Sequence, residues 1–468
     1  MRVVLATLNA SYSQTCLALY SLAAYCRGEF PDIQLLEFTI NDDPGEAMAE
    51  ILARQPDVLG LSCYIWNVRP LLCLVDDLAQ VAPEVCVILG GPEAGHAAEE
   101  VLLRHPGVDW VVRGEGEATL LEILRTLRDG GEGMVAGASR RVGHQVVHGP
   151  DRAPLSDLGG LPFAYGEGLP DLEGRLVYYE GSRGCPFACS YCLSAADRGV
   201  RWLPLERTAR ELSWLAGQGA RIVKLVDRSS NVDGARFREL LQVLSALDTE
   251  CCFHFEVLGD RLDEGTLSLL DGVPPGRFRF EIGIQSTNQA VLRAVNRLMD
   301  WERMQAAVRR LTTAGRVAVH LDLIAGLPGE DWQSFARSFD AVYALQPDYL
   351  QLGFLKLLKG SVLRAQAPRW GYAFSPHPPY EVLRSGHLGY RELRRLHRIE
   401  DMVDRYHNSG DFRHCLRWFT GEVYQGEAFA FFEQLAGYWE ERGLHRRPPR
   451  KPGLYEVLVD FAARRDAG

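Results

Sequence analysis

The sequence lacks any run of about eighteen apolar residues, the length a helix needs to cross a bilayer. Its opening, MRVVLATLNASYSQ, has neither the basic stretch nor the apolar core of a signal peptide. A folded cytoplasmic protein with no membrane partner is the expectation. Basic residues form no stripe and the net charge is −10, so nucleic-acid binding, which depends on phosphate neutralisation, is not expected. The one basic run, RGLHRRPPRKPG, is short and proline-containing and reads as a solvated linker. No histidine precedes His96. The 11 cysteines are odd in number and scattered, which argues against a disulfide scaffold and for metal or redox chemistry. Most, such as Cys63 and Cys86, lie in apolar runs and read as small buried hydrophobes. Three do not.

What is present is strand–helix alternation over 468 residues, room for roughly three domains. Strand-like runs start at Val3, Gln34, Val58, Val85 and Trp110, separated by helical segments such as AMAEILARQ and AAEEVLLRH. This predicts an α/β fold: a Rossmann-like, doubly wound parallel sheet over residues 1–130. Its ligand would sit beyond the carboxyl ends of the strands. Those ends carry Asn9 and Ser11, then Ser62 and Tyr64, then Gly90 and Gly91, then Gly114 and Glu115.

Residues 131–174, with little periodicity, read as a linker. A second alternation follows over 175–360, with strand-like runs LVYYEGSRG, RIVKLVD, CCFHFEV, FRFEIGI, VAVHLDLIA and YLQLGFL. Six parallel strands with intervening helices predict a partial (β/α)6 barrel, open on one side. Over 361–468 the strand signal fades. The segment from Glu381 to Tyr406 places Leu393, Leu396, Ile399, Met402, Val403 and Tyr406 on one helical face, so a mostly helical cap is expected.

The three exceptional cysteines lie in GSRGCPFACSYC, directly after the first strand of the second region. Cys185, Cys189 and Cys192 can wrap one corner of a cubane and ligate three of its irons, leaving the fourth open for chemistry. A structural zinc site would need a fourth ligand. The nearest downstream are Cys251, Cys252 and His254.

The pattern Cys-x3-Cys-x-aromatic-Cys resembles the signature of the radical S-adenosylmethionine (SAM) superfamily. The resemblance implies a 4Fe-4S cluster on these cysteines and SAM chelated to the open iron, with Tyr191 near the adenine. Reductive cleavage would then give methionine and a 5′-deoxyadenosyl radical, fed by an electron donor such as flavodoxin or ferredoxin. It also implies SAM contacts on later strand ends: Glu256, Glu281, Gln285, Ser286, and the DLIAGLPGE segment with Asp322, Gly326 and Glu330. The family's Gly-Gly-Glu is missing; KLVDRSSN stands in its place, so Asp227 or Arg228 substitutes. For each such residue the alternative is a strand end or helix cap.

The first region, through GLSCYIWN, ILGGPEAG and VVRGEGE, resembles the cobalamin-binding module that precedes many radical SAM cores. Gly90 and Gly91 would admit the nucleotide tail closely, since glycine has no Cβ. Ser62 would donate a hydrogen bond to it. The family's usual axial histidine is absent, TLNASYSQTC standing in its place, so cobalamin should lack a protein imidazole. Tyr64 and Trp66 are either covers of its lower face or core aromatics. The segments around Tyr380 and Asn408 resemble a helical extension of unknown function found in one subgroup, and Tyr380 and Glu381 are the candidate substrate contacts.

The resemblance implies methylation of an unactivated carbon of a small-molecule substrate. The alternatives are radical ring rearrangement or oxidative cyclisation without methyl transfer and, more remotely, a non-catalytic cobalamin or cluster sensor. A methylthiolating RNA enzyme would carry extra N-terminal cluster cysteines and a basic end domain, which do not match.

Overall fold

The computed structural model describes residues 1–131, 133–166 and 172–466. The first sheet is built from β1 (Val3–Asn9), β2 (Gln34–Thr39), β3 (Val58–Ser62), β4 (Cys86–Gly90), β5 (Trp110–Val112), β6 (Ala138–Val142) and β7 (Gln145–His148). Its order is β2-β1-β3-β4-β5-β6-β7, with the first five strands parallel and the last two antiparallel. Helices cover both faces, so β1 and β3 are buried at every residue. That is why both read as nearly unbroken apolar runs.

The stretch expected to be a linker is corrected in part by β6 and β7, a hairpin that extends this sheet. ASRRV and QVVH carry polar residues on an edge, where one face meets water, so no apolar run announces them. Residues 167–171 of the same stretch lie outside the described residues.

The second sheet contains β8 (Leu176–Tyr179), β11 (Ile222–Leu225), β12 (Cys252–Glu256), β13 (Phe278–Gln285), β14 (Ala318–Ala325) and β15 (Tyr349–Phe354). All pair in parallel in chain order, β8-β11-β12-β13-β14-β15. Among the described residues β8 and β15 do not pair, so the sheet stays open. Between β8 and β11 a short pair, β9 (Ser182–Arg183) with β10 (Arg201–Trp202), frames the cysteine loop. Burial alternates along β13 and β14, one side packing on helices and the other turned inward.

The tail opens on a short helix, Val362–Ala365, and its longer helices begin only at Tyr390. Before it, β16 (Ala373–Phe374) pairs with β17 (Val382–Arg384), so the expected helix does not begin at Glu381. Its start is fixed at Gly389, whose N–H donates to Glu392 Oε2 at 2.7 Å. The apolar face is as expected: Leu393, Leu396, Ile399, Met402, Val403 and Tyr406 are buried and join the barrel core. Among the described residues, no helix is long and apolar enough to cross a membrane.

Candidate active site

The cysteine loop starts where β8 ends. Gly184 adopts φ +90°, and a Cβ there would lie 2.1 Å from the Gly199 carbonyl oxygen, so only glycine lets the chain turn here. The turn lets Cys185 N–H donate to the Asp197 carbonyl at 3.0 Å, while Cys192 N–H donates to Cys189 O at 3.0 Å. Ser190 N–H ties the loop to Val295 O at 2.9 Å. All three thiols are free; Cys185 and Cys189 are buried and Cys192 is half-buried. Burial pushes the Cys185 thiol up, and the neighbouring thiols of Cys192 and Cys189 add to it. Binding as thiolates therefore calls for metal charge close by. The half-buried Arg297 is the protein's own cation here, with Nη1 4.0 Å from Cys189 Sγ, and Tyr191 lies in the same group. Among the described residues no three His, Cys, Asp or Glu side chains gather as ligands of one ion. Three thiols on one short loop are a donor set that fits a cubane, which takes each thiolate on a different iron.

The strand ends beside the loop hold buried polar atoms with no protein partner: Gln285 Oε1, Asp322 Oδ1, Ser230 Oγ and Arg297 Nε. Buried groups of this kind are normally satisfied, so they mark where a polar ligand fits. Gln285 sits at φ +72° beside a bulge in β13. Burial, reinforced by Glu281, raises the Glu256 carboxyl to about 7 and drives Asp322 well above its usual range. Arg228 is exposed and opposes that rise at Glu256.

Five of the residues named from the sequence are used differently. Asp227 Oδ1 accepts Gly181 N–H at 2.7 Å and Ser182 N–H at 3.0 Å, pinning the approach to the cysteine loop. Its carboxyl is raised to about 6 by burial. Glu281 is spent on Lys224 at 2.8 Å and His254 at 3.0 Å, and the His254 bond foremost lowers it to about 2. Ser286 Oγ donates to the fully buried Glu330 at 2.6 Å, holding the ends of β13 and β14 together beneath the site. Gly326, at φ +93°, turns the chain so that its carbonyl accepts from Tyr372 Oη at 2.8 Å.

The interior face of the second sheet also carries Lys224, Arg279 and His320, which the sequence reading missed, and His254, which it named only as a possible zinc ligand. Their signal was present as His254-x-Glu256, Arg279-x-Glu281 and His320-x-Asp322, polar pairs at the two-residue repeat of one strand face.

In the first sheet, Asn9 Nδ2 donates to Glu37 Oε1 at 3.1 Å, and Ser11 Oγ meets Ser13 Oγ at 2.9 Å. Ser62 is buried, and its carbonyl accepts Asn67 Nδ2 at 3.0 Å. Gly91 is a correction: at φ +100° its Cβ would lie 2.4 Å from Cys63 O, so the close approach it permits is to the neighbouring strand end. Gly90 has no such crowding, a Cβ meeting only Val112 at 3.8 Å. Gly114, at φ +71°, has open space around it. Tyr64 and Trp66 stack at 4.4 Å and 6°, and Trp66 is 45% exposed, so it is not a core aromatic. His96 packs its ring against Gly360.

The carboxyl ends of the two sheets meet. After β5, Glu115 pairs with Arg201 at 2.7 Å and Arg183 at 3.5 Å, and Glu117 also pairs with Arg183, two residues before Cys185. After β4, Glu93 accepts from Tyr380 Oη and lies 3.6 Å from Lys359, which follows β15. Tyr380 and Glu381 are therefore corrected as open substrate contacts. Tyr380 is buried as an interdomain clamp, and Glu381 pairs with His397 at 2.8 Å.

Three family models match in order: the B12 binding domain over residues 2–124, the radical SAM superfamily over 179–342, and a protein family of unknown function (DUF4080) over 368–467. The cobalamin-dependent radical SAM methyltransferase TokK of Streptomyces tokunonensis is 30% identical over 321 residues, covering 62% of this chain and 45% of TokK. The anaerobic magnesium-protoporphyrin IX monomethyl ester cyclase of a Synechocystis species is 27% identical, covering 52% of this chain and 51% of the relative. The chain thus spans about half the length of these relatives or less. Among solved structures, the radical SAM methyltransferase TsrM of Kitasatospora setae superposes with TM-score 0.67 at 19% identity, covering 80% of this chain and 77% of TsrM. The cobalamin-dependent SAM radical enzyme OxsB superposes with TM-score 0.69 at 14% identity, covering 98% of this chain and 74% of OxsB. These two likenesses establish the fold.

Proposed function

We propose that this chain, a radical SAM protein with an N-terminal cobalamin-binding domain, methylates an unactivated carbon of a small-molecule substrate. The observation that carries the reading is the meeting of the two sets of strand ends at Arg183 and Tyr380. Both cofactor sites then open on one space. When bound, the cluster with SAM supplies a carbon-centred radical and cobalamin supplies a transferable methyl group.

Cys185, Cys189 and Cys192 hold the cluster. Gln285, Asp322 and Glu256 bind the polar groups of SAM, with Tyr191 beside the adenine. Asp227 positions the loop through the Gly181 and Ser182 N–H groups. Arg183 and Tyr380 lock the domains and keep water from the space between them, which protects reactive species. Ser62, Gly90 and Trp66 form the cobalamin side, and no histidine is placed to ligate cobalt from β1. We place the domain limits near residues 150, 174 and 360, with the β6–β7 hairpin in the first domain. An external one-electron donor completes the requirements.

The test is anaerobic reconstitution with iron, sulfide and cobalamin, followed by SAM cleavage and comparison of metabolites from cells with and without the gene. The expected result is 5′-deoxyadenosine together with a product heavier by one methylene. A chain that takes up neither cluster nor cobalamin contradicts the reading. The cyclase relatives favour a second reading, ring formation without methyl transfer. SAM consumed per product separates the two, because methylation needs a methyl donor as well as a radical source.

A further inference from the structure

The inner face of the second sheet is not a packed core. On β13 the outward residues Phe278, Phe280, Ile282 and Ile284 are fully buried, while Arg279, Glu281, Gly283 and Gln285 between them are half-buried. β14 repeats the pattern, with His320 and Asp322 half-buried on the inner side. A filled barrel would bury both faces alike, so a hollow runs along these strands. Tyr178 and Tyr349, on the two unpaired edge strands, are also half-buried, and the hollow opens between them.

One charge in this hollow has no partner. Arg279 makes no hydrogen bond or ion pair among the described residues, and its Nε is enclosed without an acceptor. Every other buried or half-buried arginine among the described residues is held, as Arg277 is by three carbonyls and Arg207 by Glu211. Exposed arginines such as Arg391 keep their water instead. Lys224 is neutralised by Glu281 at 2.8 Å. His254 lies level with Arg279 on β12, and His320 stands higher on β14, level with Glu281. Burial and then the Arg279 charge lower His320 to about 4, and burial lowers His254, so neither imidazole adds charge at neutral pH. The lower end of the hollow thus holds one surplus positive charge. Leaving it unpaired costs stability, and a bound anion removes that cost. A guanidinium offers parallel N–H donors that match a planar carboxylate.

We propose that the substrate carries a carboxylate that pairs with Arg279 at the lower end of the hollow. The proposal deepens the methylation reading and rests on it for the identity of the occupant. Arg279 lies six residues before Gln285 on β13, about 20 Å along the strand. A molecule anchored at Arg279 and reacting near Gln285 is elongated, with its carboxylate remote from the carbon attacked. Binding at that remote end holds the reacting carbon in place. A single surplus charge suits a monoanion better than a phosphate dianion.

The experiment uses the reconstituted full chain, with octanoate, octanamide and octyl phosphate as probes in equilibrium dialysis. Wild type should bind octanoate about tenfold or more tighter than either of the others. Arg279→Gln should lose that preference, Arg279→Lys should recover part of it, and Arg391→Gln should keep it whole. Arg279→Gln should also melt no lower than wild type, because it removes an unpaired charge. Unchanged octanoate binding in Arg279→Gln, or octanamide binding as well as octanoate, would overturn the site. Tighter binding of octyl phosphate would overturn the carboxylate. If Arg279→Gln melts lower or fails to fold, protection of Arg279 from phenylglyoxal by octanoate in wild type decides, and no protection overturns the proposal. In cells, the gene-dependent metabolite heavier by one methylene should be retained on an anion exchanger at about pH 7; a neutral or cationic one would overturn the substrate class. No methylated metabolite, with octanoate binding intact, would overturn the methylation reading while upholding the anion site.

Discussion

β1 and β14 are both central, parallel and rich in aliphatic residues, yet they serve different ends. β1 buries all seven of its residues, whereas β14 alternates buried and half-buried positions along eight. In the first sheet both faces are packing surface, so only the strand ends are left for ligands. In the second, the outer face packs on helices and the inner face presents His254, Glu256, Arg279, Glu281, His320 and Asp322. One sheet is a platform; the other is a lining.

That contrast can be broken by substitution. The largest effect is expected from replacing Cys185, Cys189 and Cys192 by Ala together. Iron should fall from about four per chain to near zero, and SAM cleavage should vanish, while the first sheet still binds cobalamin. Iron analysis and a cobalamin titration on the same sample check this.

Next, a polar residue should be ruinous in the platform, and losing an uncharged one should be cheap in the lining. Ala6→Asp buries an unpaired charge in β1 and should cost more than about 4 kcal/mol. His320→Leu removes an imidazole that burial already holds at about 4, hence neutral, and that stacks on Tyr349 at 5.0 Å. Its cost should stay within about 1.5 kcal/mol. Thermal unfolding of both variants makes the comparison, and equal losses would remove the distinction.

Glu281 sharpens it through pH. Its folded value, about 2, lies below its ordinary 4.5. The carboxylate's contribution is therefore complete above about pH 4.5 and is lost as pH falls through about 2, amounting to roughly 3 kcal/mol at most. Glu281→Gln should be destabilised by a constant amount above about pH 5, with the gap shrinking as pH falls below about 4.5 and closing only near pH 2. Urea midpoints across that range would show it, and a pH-independent gap would contradict the assignment.

The smallest effect is expected at Trp66. Trp66→Ala removes one exposed stack and should cost about 0.5–1 kcal/mol, while cobalamin affinity falls several-fold. Unchanged affinity would mean that the stack serves the fold alone.

Eleven strands of the two main sheets were legible in the sequence because burial on one or both faces leaves an apolar signature. The β6–β7 hairpin was not, since an edge pair with polar faces resembles a loop. Among site residues, the cysteines were legible from local spacing. The role of Asp227 was not, because its partners Gly181 and Ser182 lie 46 and 45 residues earlier in the chain. Tyr380 was singled out, but its partner Glu93 is 287 residues away, and no local pattern encodes such a clamp. The charges lining the second sheet were visible as alternating pairs, yet alternation alone cannot separate a solvent-facing side from a cavity-facing one.

The central claim is that both sheets deliver their cofactors to one space. Pulsed electron paramagnetic resonance on the reconstituted chain, with cobalt as cob(II)alamin and the cluster reduced, measures the separation directly. The account predicts a resolved dipolar coupling placing the two centres within roughly 15 Å, the span of a small substrate plus near-attack contacts of about 3–3.5 Å at its ends. Two fully loaded centres with no resolvable coupling, far apart or on opposite faces, would contradict it.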